Sequence, residues 1–172
     1  MTERTHSPES VVPLIMATLA LDTFGNDWRH CDQTSNYLAQ FVSMDRRDPS
    51  IFSNRLSTIL NEILEFIYNN NSGDGVTVIS IGRNESDLCL EFTIPVDEAN
   101  RRQYDDALDP LAHEDSRVLY QREIERLYTG PLHPAMGLWE LAADYEIRFA
   151  KRVVDPASII VSVWMSISDD ED

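Results

Sequence analysis

Basic residues are scarce in this chain. Lysine and arginine number 14 against 30 aspartates and glutamates, giving a formal charge of −16 over 172 residues and a pI near 4.4. Attraction to nucleic-acid phosphate or anionic lipid depends on clustered Lys and Arg, so this balance excludes nucleic acid and the membrane surface as partners. Cysteine is rarer still. Cys31 and Cys89 show no C-x-x-C spacing and read as free thiols in a reducing compartment rather than as a disulfide framework. The four histidines, His6, His30, His113 and His133, lack i, i+4 pairing, and only His30 has a cysteine beside it, which argues against a zinc site. Long apolar runs are also missing. The best candidate, Val11–Leu21, is too short to span a bilayer, and its leader carries Glu3 and Glu9 with one arginine, a poor match to a secretion signal. It is read as a buried strand, and the chain as cytoplasmic.

What is present suits one ordinary core. Residues 1–10 are expected to be a loosely ordered leader, 11–168 a single domain and 169–172 an acidic tail, with no internal repeat and no low-complexity linker. Tyr37, Leu38, Phe41 and Val42 recur at helical spacing after a start signal at Thr34 or Ser35. A longer helix opens near Ser50 or Ser53 and runs to Asn70, with Leu56, Ile59, Leu60, Ile63, Phe66 and Ile67 on one face. The asparagines and glycines of NNNSGDG end it.

Val76–Arg83 and Leu88–Pro95 are alternating β-rich runs around NESD and form a hairpin; Ile147–Val154 and Ser158–Ser168 form another. Between the hairpins the sequence is charged and helical. DSRVLYQREIERLYTG has a cap at Asp115 or Ser116, then Val118, Leu119, Arg122, Ile124, Leu127 and Tyr128, and stops at Gly130. MGLWELAADYE reads as a further helix. The order implies an α+β two-layer sandwich, a mainly antiparallel sheet with helices on one face. DRRD at Asp45–Asp48 and NRRQ at Asn100–Gln103 read as local salt bridging, and Trp28, Trp139 and Trp164 as core.

Three stretches carry a family likeness: DWRHCDQTSNYLAQF ahead of the long helix, STILNEILEF on it, and GLWELAADYEIRF before the last hairpin. With the DSRVLYQREIE helix between them, the chain from Val12 to Ser168 resembles the GHKL, or Bergerat-fold, ATPase superfamily. Within it the chain looks like small stand-alone bacterial regulators related to histidine-kinase ATPase domains and anti-sigma factor kinases. The resemblance implies an N-box of the pattern L-N-E-L-L-E-N-A, whose glutamate corresponds to Glu62 and whose magnesium-holding asparagine corresponds to Phe66.

A phenyl ring offers magnesium no oxygen ligand. The adenine-reading aspartate of the family's Asp-x-Gly-x-Gly corresponds at best to Asp97, which has no glycine beside it. The family's phosphate-cradling glycine-rich turn is reduced to Gly137. By this resemblance the pocket of Glu62, Phe66, Asp97 and Gly137 is degenerate, with no cofactor and no metal expected. The chain reads as a pseudo-ATPase that regulates bacterial signalling through a protein partner such as a response regulator or an anti-anti-sigma type domain, and it is a possible homodimer. Arg122 and Tyr128, on the helix that matches the family's nucleotide lid, are the partner-binding candidates. The alternative is an ATP-dependent serine kinase of anti-sigma type with a diverged pocket, in which Glu62 alone would be catalytic.

Overall fold

The computed structural model describes residues 11–24, 29–71 and 73–167, so the leader 1–10, Trp28 and the tail 169–172 lie outside the described residues. In chain order the elements are β1 (Val12–Ala20), α1 (Leu21–Phe24), α2 (Arg29–Ser43), α3 (Pro49–Asn70), β2 (Val76–Arg83) and β3 (Asp87–Pro95). Then come α4 (Glu98–His113), α5 (Ser116–Arg126), α6 (Met136–Asp144), β4 (Arg148–Asp155) and β5 (Ser158–Ser166). The five strands form one sheet in the order β1-β2-β3-β5-β4, and each neighbouring pair is antiparallel. The fold is α+β.

The core follows from alternation on the strands and periodicity on α3. Leu88, Leu90, Phe92 and Ile94 of β3 and Ile159, Val161, Val163 and Met165 of β5 point to one face of the sheet, with Leu90 opposite Val163 and Phe92 opposite Val161. Against this face α3 buries Phe52, Leu56, Ile59, Leu60, Ile63, Leu64, Phe66 and Ile67. The start of α3 is fixed chemically. Asp48 accepts from the Ile51 amide at 3.2 Å, and Pro49 occupies the first turn, where a missing N–H costs nothing.

Asp97 begins α4 with a capping box. Its carboxylate accepts from the amides of Ala99 and Asn100 at 2.8 and 2.9 Å, and Asn100 returns the bond to the Asp97 amide at 2.7 Å. The same helix faces β4, where Lys151 pairs with Asp105 and, at 2.8 Å, with Asp109. Of the two basic elements read as local salt bridging, Arg102 pairs with Glu98 one turn away, whereas Arg46 lies over the Phe52 ring and Arg101 donates to the backbone carbonyls of Asp155 and Pro156 at the β4–β5 turn. Among the described residues no helix is long and apolar enough to cross a membrane.

Several expectations need correction. Val11–Leu21 is not a buried strand: β1 lies at the sheet edge, and Val12 and Met16 are exposed. On α2, Leu38 and Val42 are buried but Tyr37 and Phe41 face solvent, because the two apolar pairs lie on different sides of the helix. α5 ends at Arg126, before Thr129, and of its apolar residues only Leu119 is buried. Trp139 is core, whereas Trp164 lies half-buried on β5, away from the helices. Both cysteines are free and buried, and burial first, then nearby carboxylates, pushes each thiol up to about 11.

Tyr104 of α4 is fully buried and donates to Asn71 Oδ1 at 2.5 Å, while Asn71 Nδ2 donates to the Pro95 carbonyl at 2.6 Å. Tyr104→Phe leaves that oxygen without its donor and should cost about 1–3 kcal/mol. A thermal melt should show a loss of about 2–4 °C for each kcal/mol in a chain of this size. An unchanged midpoint would mean that the bond contributes nothing.

Candidate functional site

The central turns of α3 carry Glu62 and Phe66 one turn apart, on the side that meets α4 and α6. Phe66 is only 7% exposed, and its ring meets Tyr104 edge-on, with centroids 5.4 Å apart and planes at 84°. Ile63, Ile94, Leu108, Leu138, Phe149 and Val161 close around the two rings. The gap left among them is about 10 Å³, room for a single water at most. The place that the resemblance gives to a metal ligand is therefore hydrocarbon, tied through Tyr104 and Asn71 to the end of β3.

Glu62 faces α6 rather than the core. A Cβ at Gly137, the second residue of α6, would lie far inside van der Waals contact of Glu62 Oε2, so a side chain there would push this carboxylate aside from its place between the two helices. Glu62 is half-buried, and that desolvation, followed by the charges of Glu65 and Glu140, holds its carboxyl above the usual range. Asp97 does not join this pair. As the cap of α4 it lines a different cavity of about 270 Å³, half polar and half apolar, with Asn71, Asp74 and Asn100 beside Leu21, Pro95 and Val96. Of the sequence-derived pocket, Glu62 and Gly137 come together, Phe66 lies beneath them in the core, and Asp97 serves the backbone.

These side chains do not fit a magnesium–triphosphate group. Phe66 supplies no ligand, the gap beside it is too small, and Asp97 already accepts two backbone hydrogen bonds. Among the described residues no group of three or more His, Cys, Asp or Glu side chains is arranged to hold a metal ion.

Arg122 and Tyr128 lie at the outer end of α5. Arg122 pairs with Glu114 at 2.6 Å, and Tyr128, in the turn beyond the helix, is 94% exposed. Between them lies a residue that sequence reasoning missed. Glu123 is only 3% exposed, and one of its oxygens accepts from the backbone amide of His133 at 2.6 Å while the other meets Arg126 at 3.1 Å. His133 in turn stacks on Trp139, centroids 4.4 Å apart. The turn presenting Leu127, Tyr128 and Leu132 is thus held at its base by a buried carboxylate. The available signal was spacing: Glu123 follows the buried Leu119 by four residues, on the inward stripe of α5.

Two measurements test this geometry. Phe66→Ala should lose about 3–5 kcal/mol and lower the melting temperature markedly, as expected for a buried ring. Phe66→Asn should also destabilise, because it places an amide among aliphatic side chains. Glu62→Gln tests the raised carboxyl. A folded-state pKa above the ordinary 4.5 favours the fold while the group is protonated, and that contribution is lost as pH rises through the raised value. Glu62→Gln should therefore melt higher than wild type at neutral pH, with the advantage disappearing as the medium is acidified toward 4.5. A pH-independent difference would contradict the burial of this carboxylate.

No protein-family model and no curated protein matches the sequence. A search of solved structures finds a similar fold in the crystal structure of the SiaB–SiaC complex from Pseudomonas aeruginosa, with a TM-score of 0.59, over 90% of this chain and 91% of that one. Sequence identity is 15%, so the likeness is one of fold.

Proposed function

We propose that this chain is a non-catalytic regulatory module of GHKL-like, pseudo-ATPase type, which acts in bacterial signal transduction by binding another protein. The observation that carries the reading is the packing of Phe66 on Tyr104, which puts two rings where the resemblance places a metal ligand. Support comes from Asp97 and Gly137, which serve a helix cap and a helix contact. The fold neighbour adds to it, because that structure is a complex of two proteins.

The partner would be a response regulator or an anti-anti-sigma type domain in the cytoplasm, met by residues 11–168 acting as one unit. The docking surface would be the outer end of α5 with its turn, where Ile124, Leu127, Tyr128 and Leu132 expose apolar surface beside Arg122. One observation favours the second reading, an ATP-dependent serine kinase of anti-sigma type. Glu62 has the raised carboxyl of a general base and lies against a helix N-terminus.

Calorimetric titration separates the two. The module should give no specific heat with millimolar magnesium–ATP and no phosphoryl transfer to a response regulator or anti-anti-sigma type domain. Micromolar binding would replace the first reading with the kinase. Arg122→Ala and Tyr128→Ala should weaken capture of such a domain while leaving the melting temperature unchanged, and undiminished capture would exclude this face.

A further inference from the structure

β4 forms one edge of the sheet and pairs only with β5. Among the described residues nothing outside β5 bonds to the backbone of Phe149–Val154, so the outward N–H and C=O groups of this strand stand open. The two sides of the strand differ. Phe149, Lys151 and Val153 lie on the helix side, where Lys151 is held by Asp105 and Asp109 of α4. Arg148, Ala150 and Arg152 lie on the side away from the helices, opposite Trp164, Ser162 and Ile160 of β5. Arg148 is neutralised there by the buried Asp87 at 3.0 Å.

Arg152 is not neutralised. It is exposed, and of the lysine and arginine side chains among the described residues it alone has no hydrogen-bond, ion-pair or ring partner. In a chain with 30 acidic residues against 14 basic ones, a guanidinium without a carboxylate is the exception. It stands on an open backbone edge, beside Val153, which is 53% exposed.

We propose that the β4 edge takes up an extended segment of another protein, which adds as a further strand and sets one carboxylate beside Arg152. Main-chain bonds to the open edge hold the segment, and cross-strand side-chain pairs select it. On the helix side the segment meets Phe149 and Val153, with Asp105 and Asp109 close to Lys151, so uncharged residues fit there and an acidic one is repelled. On the other side only the residue facing Arg152 gains from a negative charge, because Arg148 already has its carboxylate. The formal charge of −16 works against a segment rich in acid, which limits the match to one such residue. The partner is a β-branched, extended segment with a single acidic side chain near its centre. No residue of the α5 turn takes part, so the inference does not rest on the function proposed above.

Fluorescence anisotropy on the full chain tests it, with a fluorescein-labelled seven-residue peptide in which threonine and valine alternate about a central glutamate. Glutamine and lysine replace the glutamate in two further peptides. The glutamate peptide should bind with a dissociation constant of tens to hundreds of micromolar, and the glutamine peptide about threefold more weakly, the size of a partly exposed ion pair. The lysine peptide should bind weakest, although the acidic chain as a whole attracts it. Arg152→Glu should reverse the order of the glutamate and lysine peptides at an unchanged melting temperature, and backbone amide shifts on binding should centre on Phe149–Val154. Wild type that prefers the lysine peptide would overturn the inference, as would an order that Arg152→Glu leaves intact. Absence of binding at millimolar glutamate peptide would mean that the charges of β4 only guard the edge, and would overturn it too. So would shifts of the same amides with rising protein concentration alone, which would make a second copy the occupant.

Discussion

The contact on which the most else depends is the one between the Phe66 and Tyr104 rings. It joins α3 to α4, and through the Tyr104 hydroxyl and Asn71 it fixes the end of β3 just before the chain turns into α4. Asn71 also follows directly on α3, so one short chain of contacts positions both long helices relative to the sheet. A polar ligand at residue 66 would have to sit in this packing with its bonds unmade, and desolvation penalises such a group by several kcal/mol. Core and metal pocket are competing uses of the same space.

Charge divides the remaining surface. Acidic residues predominate over the chain, and many of the arginines are held by nearby carboxylates or carbonyls, such as Arg102 by Glu98 and Arg117 by Glu146. Two helical surfaces stand apart. The turn after α5 exposes Leu127, Tyr128 and Leu132 and is anchored by the buried Glu123, while Tyr37 and Phe41 of α2, with Met44 just past its end, are exposed in a stretch without charge, Gln33–Met44. Exposed aromatic side chains on an acidic chain leave apolar surface in water that a partner would cover.

Much of the fold was legible in the sequence because periodicity and punctuation agree there. The α3 stripe, its Asn and Gly stop and both hairpins stand close to where their patterns place them, since each rests on a single period and a definite breaker. α4 was much less legible. Its inward face is only Tyr104, Ala107 and Leu108 in a charged segment, and its start depends on Asp97 and Asn100 exchanging bonds, which composition does not display. α2 misled for another reason: it bears two apolar stripes, and periodicity cannot say which one faces the core. Of the candidate site, the resemblance grouped Glu62, Phe66, Asp97 and Gly137, and the fold brings Glu62 beside Gly137 while Asp97 caps α4 elsewhere. Glu123 was not legible, because the amide it binds lies ten residues away on the backbone, where side-chain identity carries no trace.

The account's central claim is that Phe66 closes the space a nucleotide would need. Aromatic proton NMR reads this most directly, through the nuclear Overhauser contact between the Phe66 and Tyr104 rings with and without millimolar magnesium–ATP. The contact should persist, with the resonances of Phe66, Tyr104 and Ile63 unmoved by the nucleotide. Loss of that contact together with saturable shifts at Glu62 and Gly137 would show that the rings part to admit the nucleotide, and would contradict the account.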